Sequence, residues 1–333
     1  MDANHHSTDA QSCRSTWGAP GVNGQLAVLL ALLFVASATA FATGSKDGGA
    51  CTRTARAAFT ACQHDVQDNY WLAHANCENL PDVQARTACK READSTLKEG
   101  TATCGEQREA RLEVCRALGE APYDPKIDPT LFVNPADIGR SVNPNPYFPL
   151  VQGSVRVYRG GSESITVTVT SETRTILGVR CAVVRDVVKE NGTLIEDTKD
   201  YFAQDIYGNV WYFGEISLNY EGGELVDIDG SWTAGRDDAK AGLIMKAHPA
   251  VGDVYRQEFS LGNAEDLAEV LSQRGSARVP AASASCSGNC LVTKESTPLE
   301  PGAIEHKYYA RGVGPILIVK PATGARVELV EFR

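Results

Sequence analysis

The sequence predicts an α+β protein with its two classes of structure segregated along the chain. A disulfide-stapled antiparallel helical hairpin comes first, then an antiparallel β-meander curled into a barrel or a clam-like half-barrel. Three observations carry this reading. Residues 51–119 contain one proline and six cysteines at regular spacings. Residues 121–150 contain seven prolines. From residue 154 onward the hydrophobic period changes to two, and turn residues recur at short intervals.

Ahead of the hairpin, residues 1–42 read as a signal peptide. Gln25 to Ala36 (QLAVLLALLFVA) is uncharged and almost wholly apolar, and Ser37-Ala38-Thr39-Ala40-Phe41-Ala42 comes next with two small-x-small pairs. Cleavage is expected between Phe41 and Gly44. The run is short for a membrane span, which needs about 20 apolar residues; an uncleaved anchor is the alternative. No other segment is apolar enough to cross a bilayer. Of the ten cysteines, Cys13 alone precedes the apolar run. So many thiols in an otherwise ordinary composition point to an oxidising compartment.

Residues 51–119 are rich in Ala, Arg, Glu and Gln and poor in β-branched residues, which favours helix. Cys51, Ala55, Ala58 and Cys62 make one helical stripe. Large apolar residues are scarce, chiefly Phe59, Trp71, Leu97, Leu112 and Leu118, so crosslinks must supply what the core cannot. The six cysteines form a palindrome centred on position 83. In an antiparallel hairpin, residues equidistant from the turn face each other. The spacing therefore predicts Cys51–Cys115, Cys62–Cys104 and Cys77–Cys89, with the turn at Glu78-Asn79-Leu80-Pro81. Gly100 threatens to break the second arm, and Leu118-Gly119 marks its end.

The prolines of 121–150 exclude helix and most strand pairing, so this stretch is expected to be an extended linker. Leu131-Phe132-Val133 and Tyr147-Phe148 are placed to pack onto the adjoining β domain, which is read over residues 151–333. Ser164 to Thr170 alternates strictly, as a half-buried strand does. Asn191-Gly192, Tyr207-Gly208-Asn209 and Gly222-Gly223 separate strand-like runs. Later strands are expected at 253–260, 266–273, 289–296, 303–310, 315–320 and 326–333, ten to twelve in all, although 263–272 also has the composition of a helix. Cys181 and Cys290 both lie in strand patterns and are expected to bond, leaving Cys286 unpaired; a Cys286–Cys290 loop is the competitor.

Several stretches of the β domain carry a resemblance. They are Asn145-Pro146-Tyr147-Phe148-Pro149-Leu150, Tyr201-Phe202-Ala203-Gln204-Asp205, Gly208 to Glu215 (GNVWYFGE), Pro298 to Gly302 (PLEPG) and Glu305 to Ala310 (EHKYYA). Residues 145–333 resemble a β-domain family of uncharacterised bacterial secreted or periplasmic proteins. The resemblance implies an exported β domain and carries no activity. The helical part resembles twin-cysteine helical hairpins that fold by oxidation.

The formal net charge is −10, and residues 121–333 hold 21 Lys/Arg against 28 Asp/Glu, so a nucleic-acid partner is not expected. The chain has no G-x-S-x-G elbow, no H-E-x-x-H and no Walker or Rossmann fingerprint, and no cofactor is called for. Asp227-Ile228-Asp229-Gly230-Ser231 imitates half a calcium loop, but the further acidic ligands do not follow in register. Trp211 and Phe213 share one strand face, suited to a core or to the mouth of a barrel pocket. His306 and Tyr308 share another, with Glu305 opposite. The favoured function is an exported protein, periplasmic, envelope or secreted, without catalysis. Its β domain would bind a small apolar ligand, a polymer or an envelope protein. Trp211, Phe213, His248, Glu305, His306 and Tyr308 are the candidate contacts. The alternative is an enzyme of unrecognised type in which His248, His306 and a carboxylate such as Glu215 or Glu305 converge, with or without a metal.

Overall fold

The computed structural model describes residues 48–333; the leader, its cleavage site and Cys13 lie outside the described residues. Helices α1 (Ala50–Glu78) and α2 (Val83–Leu118) form the expected antiparallel pair. The turn between them is short. Asp82 caps α2 by accepting from the Ala85 amide at 2.6 Å, and Arg86 reaches back to the Leu80 carbonyl. Three disulfides cross between the arms, Cys51–Cys115, Cys62–Cys104 and Cys77–Cys89, with Cα separations of 5.6, 5.8 and 5.5 Å. The interface they staple is thin. The buried apolar residues of the two helices are Ala55, Ala58, Ala93 and Val114 beside the cysteines. Gly100 does not break α2. A side chain there would press on Val66 of α1, so glycine lets the two arms close on each other.

Residues 121–150 are extended, as their prolines demand, but they are a strap and not a free spacer. Tyr123 donates to the Ala241 carbonyl, Val133 pairs with Gln204, and Leu150 is fully buried in the β core. Asn145, also buried, accepts from the amides of Tyr147 and Phe148 and donates to the carbonyls of Gly208 and Lys246.

The β domain is one antiparallel sheet of fifteen strands. These are β1 (Val155–Gly160), β2 (Glu163–Ile176), β3 (Val179–Glu190), β4 (Thr193–Gln204), β5 (Val210–Glu221), β6 (Glu224–Asp227), β7 (Trp232–Thr233) and β8 (Lys240–Met245). They continue with β9 (Val254–Arg256), β10 (Glu258–Phe259), β11 (Leu267–Ala277), β12 (Cys286–Thr297), β13 (Glu300–Ala310), β14 (Gly314–Lys320) and β15 (Ala325–Phe332). The order runs β10-β8-β5-β4-β3-β2-β1-β15-β14-β13-β12-β11-β9. Its two ends, β9 and β10, are consecutive in sequence and separated by Gln257 alone, so the sheet nearly closes into a barrel. The stretch 263–272 yields strand β11 and no helix. Its turn-rich start and its partners on both sides, β9 and β12, override the helical composition.

One disulfide differs from expectation. Cys286 bonds Cys290, and Cys181 is a free, buried thiol. The reason is topological: β3 and β12 are six steps apart in the sheet order, so Cys181 and Cys290 are not on neighbouring strands. Burial pushes the Cys181 thiol up to about 12 and leaves it without thiolate character. Four disulfides are what an oxidising, extracytoplasmic compartment maintains. Among the described residues no helix is long and apolar enough to cross a membrane.

Candidate functional site

The inward faces of the strands line a partly open cavity of about 260 Å³. For scale, a cavity of about 150 Å³ takes benzene, so this one holds a ligand of about ten heavy atoms. Leu150, Val167, Val169, Val184, Phe202 and Ile244 supply apolar wall. The rest of the lining is charged. Asp186, Asp200, Glu258, Asp266 and Glu295 face Arg156 and Lys307. A depression on α2 around Val83, Gln84, Thr87 and Arg91 has a comparable volume, but one helix face alone forms it.

Glu295 and Lys307 satisfy each other. Their ion pair is 2.6 Å long, and Glu295 also accepts from Thr293 at 3.0 Å and Tyr309 at 2.7 Å. Burial opposes ionisation at Glu295, yet Lys307 and these donors bring its pKa below the usual range. Arg156 is spent on the carbonyls of Val313 and Pro149. Neither cation makes an ion pair with the other four acids, though the charge of Lys307 is felt at Asp186, Glu258 and Asp266.

The ionised forms of those acids are disfavoured instead. Burial raises all four. Asp266 is pushed up to about 6 and Asp200 to about 7; Asp186 and Glu258 go well above the ordinary value, with repulsion from their neighbours adding to burial. Each is partly buried and lines the cavity. Glu215 joins them. The Tyr212 hydroxyl lies 2.6 Å from Asp200 and 2.9 Å from Glu215. One phenol proton serves one carboxylate, so this arrangement requires a proton on the other.

Tyr212 and Glu215 are three apart on β5, and strict alternation would set them on opposite faces. A β-bulge resolves this. Phe213 and Gly214 together oppose Tyr201, so Asp200 pairs with Glu215 while Phe202 pairs with Tyr212. Gly214 has φ +130°, and a side chain there would collide with the Trp232 carbonyl. Gly214→Ala is therefore expected to cost at least about 2 kcal/mol and to turn Glu215 away from Asp200. A urea titration reads the first effect. Unchanged stability would mean that the bulge is not under this constraint.

The electrostatics set a pH dependence whose sign can be worked out. Asp200 and Asp266 have raised pKa values, so their contribution is fully present below the unfolded carboxylate range and is lost as pH rises through 6 to 7. Glu295 acts oppositely, its contribution being lost as pH falls through its lowered value. A tenfold change in an ionisation constant is worth about 1.4 kcal/mol. Thermal unfolding of the β domain is thus expected to peak in mildly acidic buffer and to weaken by pH 8. A Tm that climbs steadily from pH 5 to pH 8 would contradict the assignment.

The residues singled out from the sequence lie elsewhere. Phe213 is fully buried and Trp211 half-buried, both against Phe132 of the strap; the Trp211 indole donates to Asp205. They are on the face of β5 opposite Tyr212, so they anchor the strap and do not line the cavity. His248 is exposed in the loop after β8. His306 is half-buried, and burial with Lys294 nearby lowers its pKa. Neither histidine reaches the cavity, and among the described residues no three His, Cys, Asp or Glu group closely enough to hold a metal. Glu305 lies 3.8 Å from Lys307 and 3.7 Å from Lys320, outside the lining, and Tyr308 packs on the smaller apolar cluster around Leu317 and Leu329. Asp227 of the calcium-like stretch closes a turn, accepting from Asn219 and from the Asp229 amide.

The cavity acids are present in the strand pattern. In β4, Thr198, Asp200 and Phe202 share a parity, as do Leu291, Thr293 and Glu295 in β12. A carboxylate at core parity is the signal that marks them. No family model, curated protein or solved structure matches this chain.

Proposed function

We propose that this is an exported, periplasmic or secreted binding protein whose β-barrel takes a small ligand into its central cavity. The observation that supports this best is the mixed lining, in which apolar wall and the carboxyls of Asp186, Asp200, Glu258 and Asp266, none of them in an ion pair among the described residues, meet around one void. A barrel whose only task was stability would fill that space with side chains. The alternative, an enzyme using His248 and His306, would need a site other than this cavity, since neither histidine lines it. The apolar stretch before residue 43, the disulfides and the resemblance of residues 145–333 to exported bacterial β domains support the compartment. Native mass spectrometry of the protein recovered from its own extracytoplasmic fraction tests the reading. A small-molecule adduct lost on denaturation is expected. An empty protein that also rejects a library of small amphiphiles would overturn it.

A further inference from the structure

The ligand's chemistry can be inferred from what the cavity lacks. Lys307 lies against Glu295 and Glu305, and Arg156 is bonded to two carbonyls. Asp186 on β3, Asp200 on β4 and Glu258 on β10 therefore face a shared space with no cation in contact. Two polar atoms at this space are shielded from solvent and have no hydrogen-bond partner: Oδ1 of Asp186 and Nε2 of Gln257, whose side chain is 2% exposed. An unmet buried acceptor and an unmet buried donor each cost about 1–3 kcal/mol. Strands that close a barrel at Gln257 can retain such groups when something else satisfies them.

We propose, building on the reading of the barrel as a ligand-binding cavity, that its ligand is a small amphiphilic amine. The ammonium sits against Asp186, with Asp200 and Glu258 lining the same space, and the apolar body lies along Val167, Val184 and Phe202. An ammonium offers three donors and a positive charge; beside Asp186 it lowers the carboxyl's pKa, so binding releases a proton to solvent and leaves a charge-assisted hydrogen bond. A hydroxyl or carbonyl oxygen on the ligand would meet Gln257 Nε2. A metal ion is a poorer match, because the acids do not converge into a group of three that could hold one among the described residues. An anionic amphiphile would add charge to a cavity already rich in acids. A neutral one would leave Asp186 Oδ1 without a charged donor.

Three probes of equal chain length separate these cases: octylamine, octan-1-ol and octanoate, titrated calorimetrically into the full chain at pH 7. Each fits a void of this size. Octylamine is expected to bind at least ten-fold more tightly than either of the others. Asp186→Asn, which keeps the shape and removes the carboxyl that would ionise against the ammonium, should erase most of that preference while leaving octan-1-ol binding in place. Its far-ultraviolet circular dichroism should match the parent, and Asp200→Asn serves as the second variant if Asp186→Asn does not fold. Octan-1-ol or octanoate binding as tightly as octylamine would overturn the amine while leaving the cavity reading intact. Failure of all three probes to bind would overturn both.

Discussion

Reduction of the disulfides is expected to melt the helical hairpin while leaving most of the β domain folded. The hairpin's buried apolar residues are small, so its arms gain little from burying each other. The crosslinks join residues 64, 42 and 12 apart in sequence, and each such bridge is worth roughly 2–4 kcal/mol. Removing all three takes away more than a module with so little core supplies. Far-ultraviolet circular dichroism in reductant should lose the signal of α1 and α2 and keep that of the sheet. Cys286–Cys290 spans only four residues and should contribute least. Full helix content in reductant would show that the alanine-rich interface suffices by itself.

The second large effect belongs to Arg111. This side chain of α2 makes a bidentate pair with Glu265 just before β11, with contacts of 2.7 and 2.9 Å. Both side chains are buried, at 7% and 2% exposure. Glu265 also accepts from the Gly262 amide, and Gln107, one turn earlier on α2, donates to the Leu299 carbonyl. These contacts dock the hairpin onto the barrel. Arg111→Ala strands a carboxylate in the interface and is expected to cost about 3–5 kcal/mol. Replacing both partners by apolar residues of similar size, Arg111→Met with Glu265→Leu, should recover much of that loss. Urea unfolding of the single and double variants distinguishes the cases. A single variant within about 0.5 kcal/mol of the parent would show that the pair does not hold the interface.

The architecture is more legible in the sequence than the site. Proline content, the cysteine palindrome and the change of period each report a local property, and each maps directly onto the helices, strap and strands. The disulfide of the β domain is not legible in this way, because strand patterns do not reveal order within a sheet. Cys181 and Cys290 look equivalent until β3 and β12 are seen to be six steps apart. The site is hidden for a related reason. Aromatic and histidine side chains stand out as chemistry, whereas Asp186, Asp200, Glu258 and Asp266 read as ordinary strand acids until the barrel turns them inward. Glu215 is harder still, since only the bulge at Gly214 sets it beside Tyr212 and Asp200.

The central claim is that these acids line one cavity in which burial disfavours their ionised forms. Carboxyl-carbon NMR titration of the side chains measures this group by group. Asp200 and Asp266 are predicted to titrate near 7 and 6, with Asp186 and Glu258 also well above the carboxylate range and Glu295 below it. All five titrating together near 4, as carboxylates in bulk water do, would contradict it.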